Sequence, residues 1–129
     1  MVIDGIEEYY PVDISFNDPV EIDFSNAILK IIDDLERGTD RSVIATKFHN
    51  TVVSAVIVVV LKLSLVNNIK KVILSGGVFQ NIYLLGKVTD KLRAEGLSVY
   101  TNEIVPCNDA GISLGQAYIA RERLRTGPI

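Results

Sequence analysis

Cysteine and histidine are nearly missing from this chain; each occurs once, as Cys107 and His49. One cysteine excludes an internal disulfide and fits a reducing compartment, so a cytoplasmic protein is expected. One histidine with one cysteine also excludes a zinc site built wholly within the chain. Positive charge is short as well: 13 Lys and Arg against 16 Asp and Glu leave a formal charge of −3. That balance has no basic footprint and speaks against nucleic acid as a partner. The opening MVIDGIEEYY is acidic and lacks the basic and apolar regions of a signal peptide. The most apolar stretch, Phe48 to Leu61, is charge-free but falls short of the roughly 20 residues a membrane span requires. Thr51 and Ser54 interrupt it, so a buried helix is expected and no membrane partner. There is no internal repeat, low-complexity tract or linker.

The rest is the composition of a globular protein, 48% hydrophobic with mixed charges. At this length residues 1–129 should make a single domain. Residues 1–24, broken at Tyr10-Pro11 and Asp18-Pro19, read as extended segments or short strands. Ser25 or Asn26 looks like an N-cap for a helix whose apolar face is Ile28, Ile31, Ile32 and Leu35, with Gly38 after its end. Asp40 or Ser42 opens a second helix to about Leu65, which length favours over the strand propensity of its valines. Lys71–Ser75 is a short apolar run suited to a strand buried on both faces. A helix with Ile82, Leu85, Val88 and Leu92 on one face follows, ended by Gly96, then a strand at Leu97–Thr101 and a last helix from about Asp109 to Leu124. This order implies α/β layering with a largely parallel sheet.

Two stretches could carry chemistry. Ser75-Gly76-Gly77-Val78-Phe79-Gln80-Asn81 joins the end of a strand to the start of a helix, where ligands of open α/β sheets gather. The helix N-terminus suits a phosphate or another anion, and paired glycines let a ligand approach the backbone. A tight turn that requires glycine for its dihedrals is the competing reading. The loop is neither a Walker A motif nor a GxGxxG fingerprint. The second stretch is Pro106-Cys107-Asn108-Asp109-Ala110-Gly111-Ile112-Ser113-Leu114-Gly115-Gln116-Ala117. Asp109 reads as an N-cap or as a ligand for metal or phosphate chemistry at the same sheet edge. Gly111 and Gly115, four apart, give one smooth helix face, for close helix packing or for a flat ligand. His49 reads as a satisfied histidine in or beside the core, and Asp33-Asp34-Leu35-Glu36 as a solvated helix face.

These motifs taken in order resemble a known family. VILSGGVFQN, then VPCNDAGISLGQA, with IATKFHNTVVSAV upstream, is similar to the C-terminal end of the HypF hydrogenase-maturation carbamoyltransferases. The resemblance runs from about Pro11 to Ala120. It implies an α/β fold: one lobe of the actin-like, sugar-kinase and heat-shock ATPase architecture (ribonuclease H-like), a mixed sheet flanked by helices with nucleotide between two lobes. It implies that Gly76, Gly77, Val78 and Asn81 lie against ATP or a carbamoyl-adenylate. Asp109 would help hold a divalent metal, zinc, iron or magnesium, shared with the other lobe. The family's enzymes are expected to take carbamoyl phosphate and ATP and pass the carbamoyl group to a C-terminal cysteine of HypE, on the way to the cyanide ligand of nickel–iron hydrogenase.

Departures accompany the resemblance. Ala110 stands where glycine is expected. The family's His-x-x-x-His metal pair is missing, as are its acylphosphatase-like, zinc-finger and carbamoyl-adenylate-forming regions. Half of one cleft is therefore expected, inactive alone, with the N-terminal lobe and domains of a parent enzyme and HypE as partners. A homodimer through the exposed lobe face is a further expectation. The competing functions are the lobe of an actin-like small-molecule kinase and a non-enzymatic interaction module of the same fold.

Overall fold

The computed structural model describes residues 2, 3 and 5–127. The early breakers separate two short strands, β1 (Asp13–Ser15) and β2 (Glu21–Asp23), which pair antiparallel with Ile14 opposite Ile22. Helix α1 (Ser25–Glu36) follows, but Ser25 and Asn26 do not cap it; Phe24 is the N-cap and makes no side-chain capping bond. The Asp23 carboxylate, a stronger acceptor than either, instead takes the backbone N–H and the hydroxyl of Ser25 at 2.8 and 2.6 Å. Asn26 donates to Asp13 at 2.6 Å. Gly38, at φ +74, ends the helix as expected. The expected apolar face is only partly used. Ala27 is buried and Ile31 partly so, while Ile28, Ile32 and Leu35 are exposed.

Helix α2 (Arg41–Asn67) opens on Asp40, whose Oδ1 accepts the Ser42 N–H at 2.7 Å. It ends at Asn68, in the left-handed region at φ 53. At 27 residues it is long and apolar enough to cross a membrane by length and composition. Its first half packs within the protein. Thr46, Asn50 and Thr51, buried along one face, hold the extended segment before β1. Thr46 Oγ1 accepts the Ile3 N–H and Thr51 Oγ1 the Tyr10 N–H, each at 2.8 Å. The Asn50 amide donates to the Ile6 and Glu8 carbonyls at 2.8 and 3.1 Å. These bonds satisfy the backbone of a segment that has no strand partner. The expected burial of α2 holds for this half; further along, Val58, Leu63, Leu65 and Val66 are exposed.

Strands β3 (Lys71–Leu74) and β4 (Ser98–Thr101) pair in parallel, Val72 with Val99, and are joined through α3 (Ile82–Ala94). The main core lies between this pair and the helices, formed by Val53, Leu74, Leu84, Val88, Leu92, Leu97 and Val99. On α3 the buried face is Leu84, Val88 and Leu92, with Leu85 flanking it; Ile82, expected inside, is exposed in the first turn. The i, i+4, i+8 set lies under one line along the helix, and Ile82 points away from that line. Nor is β3 covered on both faces. Ile73 is 75% exposed and its cross-strand neighbour Tyr100 is 51% exposed. The helices α2 and α3 pack one side of a two-stranded sheet, and α4 (Ile112–Thr126) has no buried residue among those described.

The acidic stretch of α1 is not simply solvated. Asp34 accepts from Lys47 and from the Tyr10 hydroxyl, both at 2.8 Å, with Lys47 also above the Tyr10 ring. Lys47, and then Tyr10, hold the Asp34 carboxyl below its usual range. Burial, and then Asp34, push the Tyr10 phenol up. Because the folded-state value of Asp34 is depressed, its stabilising contribution is present above the unfolded value, about 3.9, and is lost as pH falls through the folded one. Asp34→Asn is expected to melt below wild type at neutral pH, the gap closing below about pH 4. Melting curves across that range that keep a constant gap would contradict this assignment.

Candidate functional site

The loops after β3 and β4 leave the same end of the parallel pair and face each other. Between them is a cleft of about 340 Å³ whose lining includes Ser75, Gly76, Asn102, Cys107, Asn108 and Asp109. It is open to one side and at the small end for a ligand pocket.

Gly76 sits at φ +105 and ψ 156, a region only glycine enters without strain. Here the turn demands the glycine. Gly77 differs, since it has no positive φ and a Cβ there would meet nothing within 4 Å. Nothing inside the chain calls for glycine at 77, and the space it leaves is the space a ligand could take. A 3-10 turn, Gly77–Gln80, then leads into α3, with Phe79 tucked against the core and Val78 exposed. Asn81 caps α3: its Oδ1 accepts the Leu84 N–H at 3.2 Å. The amides of Ile82 and Tyr83 have no intrahelical carbonyl, as at any helix start.

Asp109 does not act as the cap predicted for it. Asn108 caps the 3-10 turn Asp109–Gly111, accepting the Ala110 N–H at 3.1 Å. The asparagine precedes the first turn and so has the geometry to reach back into it, leaving the Asp109 carboxylate exposed at the cleft. Gly111 lies close against Pro106 of its own loop. A Cβ there would lie 2.8 Å from the Pro106 carbonyl oxygen, whereas one at Gly115 would meet open space. The smooth face therefore serves close packing at Gly111 only.

His49 is half-buried and satisfied at both nitrogens. Nδ1 lies 2.7 Å from the Ala45 carbonyl, and Nε2 lies 3.0 Å from the Asn81 Nδ2. Beside it, Tyr83 packs edge-on at 5.8 Å and donates its hydroxyl to Asn50 Oδ1 at 2.6 Å. Of the residues read from sequence as a site, Gly76 and Asp109 line one cleft. Gly77, Val78 and Asn81 are not in its lining, and Asn81 is turned toward α2. Sequence reasoning missed Asn102, whose only signal was its place directly after β4, and it missed the His49–Asn81 contact across two helices.

Comparison with known proteins decides the family. Residues 2–116 match the family described as "Carbamoyltransferase, Kae1-like Domain, second subdomain". The chain belongs to the HypF carbamoyltransferase family. Carbamoyltransferase HypF of Synechocystis is 35% identical over 111 residues, and Carbamoyltransferase HypF2 of Cupriavidus necator is 32% identical over 112. Each match covers 85% of this chain and 14% of the relative, so the chain spans about one seventh of their length. A crystal structure of full-length HypF, in its phosphate- and nucleotide-bound form, superposes with a TM-score of 0.88 at 43% identity. It covers 97% of this chain and 17% of that one. The α/β fold expected from the resemblance is thus that of a HypF-type Kae1-like subdomain, small sheets flanked by helices.

The metal implied by the family does not find a complete site here. Among the described residues no group of three or more His, Cys, Asp and Glu side chains could hold an ion. Asp109 is the one carboxylate lining the cleft, and a single carboxylate does not bind a divalent cation unaided.

Proposed function

We propose that this chain forms part of the nucleotide or carbamoyl-adenylate site of a HypF-type carbamoyltransferase. The parent activity would use carbamoyl phosphate and ATP to carbamoylate the C-terminal cysteine of HypE during nickel–iron hydrogenase maturation. The observation that carries this reading is the cleft at the strand ends lined by Gly76 and Asp109, with Gly77, a glycine that neither its φ nor its neighbours require, next in the chain. The likeness to a nucleotide-bound HypF supports it. The amides at the start of α3 suit the negative charge of a phosphate. Asp109 would contribute one ligand to a metal completed by groups outside the described residues, and ATP is the cofactor the loop would face.

The exposed apolar surfaces support the partner proposal. Ile73 and Tyr100 on the sheet, with Leu114 and Tyr118 on α4, are surface a folded protein normally covers. The remainder of a HypF-type enzyme, or a second copy in its absence, would cover it. The half-cleft alone is expected to be inactive, because catalysis requires groups held on both sides of the reacting atoms.

Thermal melting with and without millimolar ATP and magnesium tests the site. A ligand bound only by the folded state adds about 2.7 kcal/mol at a hundredfold excess over its dissociation constant. Gly77→Val puts its side chain into open space, so the free protein should melt as wild type while the ATP-induced shift disappears. An equal shift in both proteins would remove the nucleotide from this loop.

A further inference from the structure

We propose that His49 is a positioning residue for the glycine loop: it fixes the Asn81 carboxamide, and through it the turn against which a nucleotide would lie. The functional meaning rests on the nucleotide reading above, but the linkage itself is a property of the fold.

Both ends of the contact fix its direction independently. The Ala45 carbonyl can only accept, so His49 Nδ1 carries the proton and Nε2 presents its lone pair. The Leu84 N–H can only donate, so Asn81 Oδ1 faces it and Nδ2 faces His49. The two assignments agree, and the Asn81 amide has one orientation. One of its N–H bonds and one oxygen lone pair then remain for a ligand. Asn81 also closes the preceding turn, its backbone N–H donating to the Val78 carbonyl at 3.1 Å. A single residue thus ties the loop, the start of α3 and α2 together. Tyr83 holds the imidazole edge-on, and Asn50 holds Tyr83 to the segment pinned along α2. Helices make a firmer support for a binding group than a loop does. Without the imidazole, Asn81 keeps its cap but loses the contact that stops the loop from swinging about it.

The test is NMR on the 15N-labelled chain of 129 residues, comparing wild type with His49→Leu and His49→Gln. Glutamine can offer its side-chain oxygen near the position of Nε2. Wild type should show scalar coupling from Asn81 Nδ2 to His49 Nε2 across the hydrogen bond. His49→Leu should lose the distinct Asn81 side-chain signals, move the Gly76, Gly77 and Val78 amides, and weaken ATP–magnesium binding about five- to tenfold. His49→Gln should restore most of both. A lower melting point in His49→Leu with unmoved loop amides would show a merely structural histidine and overturn the proposal. Absence of the coupling in wild type would overturn it even if His49→Leu does not fold. Should wild type bind no ATP, the nucleotide reading falls, and the coupling and loop amides alone decide the role of His49.

Discussion

Leu92→Ala should lower the unfolding free energy by about 3–5 kcal/mol, the range for a fully buried leucine whose cavity cannot collapse. Leu92 is 0% exposed and sits among Val53, Val88, Leu97 and Val99, with contributions from two helices and a strand. Alanine is the best helix former, so the backbone of α3 is not the source of the loss, which comes from the lost burial and the cavity left behind. Against a total stability of about 5–15 kcal/mol for a domain of ordinary size, this is a large share. The melting midpoint should fall by about 10 °C or more. Leu65→Ala is the control: that leucine is 79% exposed at the far end of α2, and its change should stay within about 0.5 kcal/mol. Equal drops in the two variants would mean that the core is not where the structure puts it.

The same substitution made four residues apart should have opposite signs. Gly111→Ala places a Cβ 2.8 Å from the Pro106 carbonyl oxygen and 3.1 Å from the Val105 side chain. A backbone carbonyl of the same connection cannot step aside as a flexible side chain can, so the loop must shift. A loss of about 1–3 kcal/mol is expected, and with it a change in the cleft, because residues 105–109 form its wall. Gly115→Ala meets nothing within 4 Å and replaces a poor helix former, so it should add up to about 1 kcal/mol. Chemical denaturation of both variants checks the pair. A stabilised Gly111→Ala would show that α4 is not held against the Pro106 loop.

Most of the element order could be read from the residues. Asp40, Gly38 and Gly96 punctuate the helices as their chemistry predicts, and the β3–α3–β4 unit follows from two short apolar runs around one periodic segment. Errors gathered where burial depends on what lies across from a side chain. Ile28, Ile32, Leu35, Ile73 and Ile82 are apolar and well spaced, yet exposed. Spacing tells which residues share a face, not whether anything covers it. Asp34 shows the converse, an acidic residue in a charged run that is drawn inward because Lys47 and Tyr10 meet it there.

The caps show a finer version of the same limit. Asp23, and not Ser25 or Asn26, supplies the acceptor at the start of α1 although Phe24 holds the N-cap position, and Asn108, not Asp109, caps the 3-10 turn that precedes α4. Any of these side chains can accept a backbone N–H, and one residue of offset in the chain's entry angle decides which does.

By itself the sequence determined the family, the α/β class and the two loops, because ordered motifs and local periodicity are written along the chain. Only the tertiary structure decided that Gly76 serves the backbone while Gly77 leaves space, and that Asn81 faces His49 across two helices. The first is a matter of one backbone torsion and of the space around the next residue, the second of a distance between residues far apart in sequence, and neither is written in the local pattern.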